Sequence, residues 1–219
     1  MAKATSILNL NGKLDNVVIY QLNGVTVVRK KAEGFGKLIK ENAAFEGQRN
    51  RNFYLQFANS WSTAIYRMAK ELAYKINYRM QNKMNGMIYH AIKFEELEKF
   101  DGIKVRKALS GLSLNFRDTL PIVDVFMDGQ DVLVSCNRML DGPVQVSLLI
   151  GTLPAVKQVK GVPKVTYDMA DVEVMELTLQ KEDHLQAYRI NLGLANDQLV
   201  VAIVRVIGED RNVEWVRVV

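Results

Sequence analysis

The sequence predicts an α+β protein: an N-terminal β-hairpin and two helices, then an antiparallel β-sandwich of immunoglobulin-like type. Three observations carry this. An Asn-Gly pair separates two β-branched runs near the start. A proline-free stretch from about residue 42 then spaces its apolar residues by three or four. After Gly111, short alternating runs are divided by turn residues. The first pattern is that of a tight hairpin, the second of an amphipathic helix, the third of a sandwich or barrel. The change of character near residues 102–120 divides the chain into a basic hairpin-plus-helices region, 1–110, and a β-sandwich domain, 111–219.

In the hairpin, Val17-Val18-Ile19-Tyr20-Gln21 and Val25-Thr26-Val27-Val28-Arg29 flank Asn23-Gly24. Asn and Gly accept the positive φ that a two-residue turn demands at both central positions. A further turn is expected at Asn11-Gly12. The glycine-punctuated basic stretch 30–37 reads as a loop. Phe53, Phe57, Trp61, Ile65, Met68, Leu72, Ile76 and Met80 then fall on one face of a helix expected to run to Lys83. Asn85-Gly86 is its expected stop. A second helix is expected from Met87 to about Phe100, closed by Asp101-Gly102. Leu112-Ser113-Leu114-Asn115-Phe116 alternates as a half-buried strand does. Further strands are expected over 132–136, 144–150, 172–180, 185–194, 198–207 and 213–219. Asp128-Gly129, Asp141-Gly142-Pro143, Lys160-Gly161, Glu182-Asp183, Asn196-Asp197 and Gly208-Glu209-Asp210 mark the turns between them. Tyr188 sits where a sandwich places a corner tyrosine whose hydroxyl bonds back to nearby backbone.

The 219 residues suffice for one large domain or two small ones, and 48% apolar with 24% charged residues is ordinary for a globular chain. Apolar runs such as 199–203 are too short to span a bilayer. The opening Met1-Ala2-Lys3-Ala4-Thr5-Ser6 lacks the apolar core and cleavage pattern of a secretory signal. The expectation is a soluble cytoplasmic protein with no membrane partner.

Charge is unevenly spread. Residues 1–94 carry 15 Lys+Arg against 5 Asp+Glu, and residues 95–219 carry 14 against 19, so +10 is followed by −5. A basic surface of this kind meets nucleic acid, an acidic protein, or the acidic part of another copy.

No catalytic constellation emerges. The single cysteine, Cys136, lies in an apolar strand and reads as a small buried residue. His90 and His184 have no nucleophile motif around them. Asp124, Asp128 and Asp131 surround a turn without the spacing of a helix-loop-helix calcium site. Gly34-Phe35-Gly36-Lys37 lacks the spacing and the Ser/Thr of a phosphate loop. Glu95, Glu96 and Glu98 read as a solvated helix face. No catalytic, cofactor-binding or metal-ligating residue is therefore assigned, and no cofactor is expected. The candidate contacts are basic: Arg49, Arg51, Arg67, Lys70, Arg79 and Lys83, interleaved with Tyr54, Tyr66, Tyr74 and Tyr78. Cations neutralise phosphates and aromatic faces stack on bases. The same residues in a helix are also the ordinary solvated face and core rim.

The opening Leu10-Asn11-Gly12-Lys13-Leu14-Asp15-Asn16-Val17-Val18-Ile19-Tyr20, with Asn23-Gly24 and Val27-Val28-Arg29, resembles a group of uncharacterised proteins. These occur in bacteria of the Bacteroides group and in their phages and mobile elements. The shared pattern is G-K-x-x-N-x-V-x-Y, a short turn, then V-R. Asn50-Arg51-Asn52-Phe53 matches the N-R-x-x-F of that group with a one-residue difference in spacing, and Gly111-Leu112-Ser113-Leu114-Asn115-Phe116 looks like the entry to its β-rich part. The likeness is specific over residues 10–60, and the group's Thr-x-x-Gln between hairpin and helix is not clear here. The resemblance implies a bacterial or phage origin and an architectural role, and no functional residue. A non-enzymatic structural or protein-interaction role, with a protein partner or homo-oligomer, is the leading expectation. Nucleic-acid binding by the basic helices is the alternative.

Overall fold

The structure is a computed structural model that describes residues 2–4, 12–30, 34–94, 102–115, 123–137, 139–159, 162–207 and 213–219. Several expectations lie outside the described residues: Asn11 of the first turn, helical residues 95–100 with Glu95, Glu96 and Glu98, Phe116, and the turns at Lys160-Gly161 and Gly208-Glu209-Asp210. The chain is α+β and divides into two compact units, Met1–Asn52 and Phe53–Val219.

The first unit holds strands β1 (Ala2–Ala4), β2 (Gly12–Leu14), β3 (Val17–Leu22) and β4 (Val25–Lys30), ordered β1-β4-β3-β2. The β3–β4 hairpin is the expected one: Leu22 pairs Val25, and Asn23 and Gly24 take φ of 51° and 77°. Helix α1 (Phe35–Glu41) begins within the stretch 30–37 expected as a loop, of which residues 31–33 lie outside the described residues. Asn42 follows it, its side chain accepting from the Ala44 N–H and capping a 3-10 turn that leads into helix α2 (Glu46–Leu72).

The expected single helix to Lys83 is two helices. α2 ends at Leu72, and α3 (Tyr78–Ile92) starts after a connection at 73–77. Asn77 is its cap, with Oδ1 accepting the Arg79 N–H at 3.0 Å. Asn85-Gly86, the expected stop, lies inside α3, and a short helix α4 (Gly102–Leu109) follows where a terminator was expected. Gly102 is needed there for close approach. A Cβ would stand 2.4 Å from the Asn196 carbonyl oxygen.

The β-strands of the second unit are β5 (Val123–Asp128), β6 (Asp131–Cys136), β7 (Val144–Thr152), β8 (Val156–Val159), β9 (Val162–Val165), β10 (Ala170–Leu179), β11 (Ala187–Asn191), β12 (Gln198–Val206) and β13 (Val213–Val218). They form an antiparallel sheet β10-β7-β12-β13, a sheet β11-β6-β5, and a separate β8–β9 ribbon. The central strands β7 and β12 of the four-stranded sheet are buried on both faces. Val146, Leu148, Val200 and Ala202 point into one core, shared with Val125, Val132 and Val134 of the three-stranded sheet. Leu149, Val201, Ile203, Val216 and Val218 point into the other, shared with Phe57, Trp61, Ile65, Ile88 and Leu109 of the helices. The second unit is thus layered helices, sheet, sheet.

That layering moves the boundary expected near residue 110 to Asn52/Phe53. The apolar stripe of α2 to α4 has no core of its own and buries against the sheet, so helices and strands form one unit. Fully burying each large side chain contributes roughly 1.5–3 kcal/mol. The near-continuous apolar runs of β7 and β12 follow from having both faces covered.

Candidate interaction surfaces

The six basic candidates separate by unit and by task. Arg49 is a structural residue: its Nη1 donates to the Ile39 and Asn42 carbonyls at 2.8 Å each, fastening the end of α1 to α2. Arg67 donates to Asp168 at 2.8 Å and lies over the Tyr167 ring, 5.8 Å from its centroid. Arg51, Lys70, Arg79 and Lys83 are exposed. Arg79 and Lys83 stand one turn apart on α3, which places them on one face. Tyr54 and Tyr66 pack against the helical core, whereas Tyr74 and Tyr78 are exposed.

The best-built polar cluster was missed by the sequence reading. Arg205 and Glu214 face each other across β12 and β13, with Nε donating to Oε2 at 2.9 Å. Their side chains are only 17% and 8% exposed. The Glu214 carboxylate also accepts the Tyr74 N–H at 2.9 Å and the Lys75 N–H at 3.1 Å. Arg205 donates to the Leu72 carbonyl, and its guanidinium sits 4.4 Å from the Tyr74 ring centroid. Asn115 donates to the Lys75 carbonyl at 2.7 Å and accepts from the Val216 N–H. The connection between α2 and α3 is therefore held to β13 by side chains. The available signal was a lone charge, Arg205, in the apolar run 198–206, and an opposite charge, Glu214, just past the Gly208-Glu209-Asp210 turn signal.

His184 is fully buried although its neighbours are charged, and its Nδ1 accepts the Leu140 N–H at 3.1 Å. His90 is exposed, with its ring edge against Tyr89. Asp124 accepts from Asn137 at 3.0 Å, Asp131 accepts from Asn191 at 2.7 Å, and Arg189 pairs with both Asp128 and Asp131. Among the described residues, no group of three or more His, Cys, Asp or Glu is placed to hold a metal. Burial pushes the Cys136 thiol up from 9.0. The Tyr188 hydroxyl bonds the Asp183 side chain. Loss of water and that carboxylate raise its phenol above 10.0. Gly34, Lys37, Leu38, Glu41 and Asn42 line an open surface groove along α1. Among the described residues, no helix is long and apolar enough to cross a membrane.

The structure brings charge together at the level of whole units. Residues 1–52 carry nine Lys+Arg against four Asp+Glu, a net +5, while residues 53–219 carry twenty of each. The entire net charge therefore sits on the smaller unit.

The chain matches no protein-family model, no curated protein and no solved structure.

Proposed function

We propose that this chain is a non-enzymatic structural or protein-interaction subunit of a multi-subunit assembly. The observation that carries the reading is the charge partition: a small unit of net +5 joined to a larger neutral one. The basic unit attracts an acidic surface, and the larger unit is a layered scaffold. Its scaffold is rigid because helices cover one face of the four-stranded sheet and a second sheet covers the other.

The sandwich belongs, in this reading, to the immunoglobulin-like class. Counting β5, β6, β7, β10, β11, β12 and β13 as first to seventh, the sheets run first-second-fifth and fourth-third-sixth-seventh. That is the constant-type immunoglobulin order with the fourth strand moved beside the third. The likeness of the N-terminal hairpin to proteins of Bacteroides-group bacteria and their phages suggests a cytoplasmic product incorporated into a phage-like particle. Light scattering on the purified chain across a salt series tests the reading. Association at low salt is expected, and a monomer that captures no partner at any salt overturns it.

A second reading is favoured by the four exposed cations Arg51, Lys70, Arg79 and Lys83. Here the basic helices bind nucleic acid through its phosphates. Affinity then falls steeply with salt, with a log–log slope of about −0.9 per phosphate contacted on duplex DNA. Binding that is absent at low salt removes this reading.

A further inference from the structure

Among the described residues, strand β10 is one edge of the four-stranded sheet, hydrogen-bonded on one side to β7. It is ten residues long, and residues 170–176 are exposed. Val172, Val174 and Met175 are 40%, 49% and 40% exposed. In the β7 register Val174 pairs with Leu149 and Met175 with Leu148, so their side chains lie on opposite faces of the sheet. An exposed edge of this length is a template for another strand or a flat partner surface.

Its charge is of one sign. No lysine or arginine occurs between Lys164 and Lys181, while Asp168, Asp171, Glu173 and Glu176 all fall there. Asp168 is paired with Arg67. Asp171, Glu173 and Glu176 are exposed beside the apolar side chains of the strand.

We propose that the β10 edge docks the basic Met1–Asn52 unit of a second copy of this chain. Charge complementarity selects that occupant. The unit carries the whole net charge of +5, with Lys13, Arg29, Lys30, Lys37, Lys40 and Arg51 exposed. The proposal rests on the assembly reading above and names the surfaces that would join. The contact uses two different surfaces of the chain, so it is head-to-tail, and it closes into a ring or extends into a filament.

Carboxylates on an edge strand have an alternative use, as guards that keep strands apart. The two roles predict opposite signs on neutralisation. The experiment is sedimentation velocity on the full chain at about 50 mM and about 500 mM salt, spanning weak and strong screening. Wild type is compared with Glu173→Gln/Glu176→Gln, and with Lys37→Glu/Lys40→Glu on the opposing surface. Both changes are on exposed side chains, and circular dichroism with the urea midpoint checks that the fold is kept.

The expected result is association of wild type at low salt and its loss at high salt. Each double variant weakens association by roughly tenfold, the effect of two partly screened rim charges. Mixing Glu173→Lys/Glu176→Lys with Lys37→Glu/Lys40→Glu then restores association. If wild type associates and the Gln variant is unchanged, this docking surface is wrong while the assembly reading stands. If the Gln variant associates more strongly, the carboxylates are guards and the proposal is overturned. If wild type is a monomer at both salts, the self-docking proposal is overturned, and the assembly reading then depends on a different partner.

Discussion

Removing the Glu214 carboxylate should be among the most damaging single changes outside the apolar cores. Glu214→Ala takes away the acceptor of three donors: the Arg205 Nε–H at 2.9 Å, the Tyr74 N–H shared between both oxygens at 2.9 and 3.2 Å, and the Lys75 N–H at 3.1 Å. Arg205, only 17% exposed, keeps the Leu72 carbonyl and the Tyr74 ring but loses its counter-charge. Breaking one partner of a buried pair costs about 3–5 kcal/mol, because the remaining charge is left uncompensated. The Arg67–Asp168 pair offers an internal control. Its side chains are 54% and 75% exposed, so Asp168→Ala should cost under ~1 kcal/mol. Urea unfolding followed by circular dichroism measures both. With an m-value of roughly 2–3 kcal/mol/M, Glu214→Ala should lower the midpoint by about 1–2 M and leave m unchanged. A Glu214→Ala midpoint within a few tenths molar of that for Asp168→Ala would refute the reasoning from burial.

The other predictions are independent of that cluster. Gly102→Ala puts a Cβ 2.4 Å from the Asn196 carbonyl oxygen and 2.9 Å from the Asp197 Cα, both backbone. Thermal unfolding should show a loss of about 1–3 kcal/mol, as for other overpacked sites. Trp61→Phe removes the indole N–H that donates to the buried Pro154 carbonyl at 3.0 Å, and should cost about 1–3 kcal/mol in the same assay. Stability should fall as pH rises past about 9. The Cys136 thiol and Tyr188 phenol are held above 9.0 and 10.0 in the fold, so the folded chain keeps protons that the unfolded chain has already released. The loss sets in as pH approaches the thiol's unfolded value of 9.0 and deepens above it, and a urea midpoint that holds constant from pH 8 to 11 contradicts the assignment. On the nucleic-acid reading, Arg51→Ala, Lys70→Ala, Arg79→Ala and Lys83→Ala together should flatten the salt slope in a fluorescence-anisotropy titration without shifting the unfolding midpoint.

Local signals were legible where local chemistry decides. Asn23-Gly24 specifies its own hairpin because positive φ is cheap there, and the β7 and β12 strands follow from their apolar runs. The break at 73–77 was not legible. Ile76 and Met80 continue the apolar spacing of α2, so periodicity alone runs through them. What ends the helix is Asn77 capping α3 and Glu214, some 140 residues away, taking the Tyr74 amide. Asn85-Gly86 reads as a stop by composition, but Met84 and Ile88 beside it are fully buried, and that packing outweighs the roughly 1 kcal/mol penalty of a helical glycine. The division near residue 110 misread composition as architecture. Basic helices and acidic strands differ in their outer faces, yet their inner faces share one core. Of the basic candidates, Arg49 could not be told from its neighbours by sequence, since its partners are carbonyls that only the bent α1–α2 connection brings near. The exposed β10 edge was hidden for a similar reason: a strand's place in the sheet order is set by distant pairing partners, which no local pattern in residues 170–179 records.

The most direct measurement of the central claim is the mass of the intact chain in solution across a salt titration, by multi-angle light scattering after size exclusion. The account predicts a mass well above 24.8 kDa at low salt that returns to that value as screening removes the pull of the net +5 unit. A single species of 24.8 kDa at every salt concentration, with no partner retained, contradicts it.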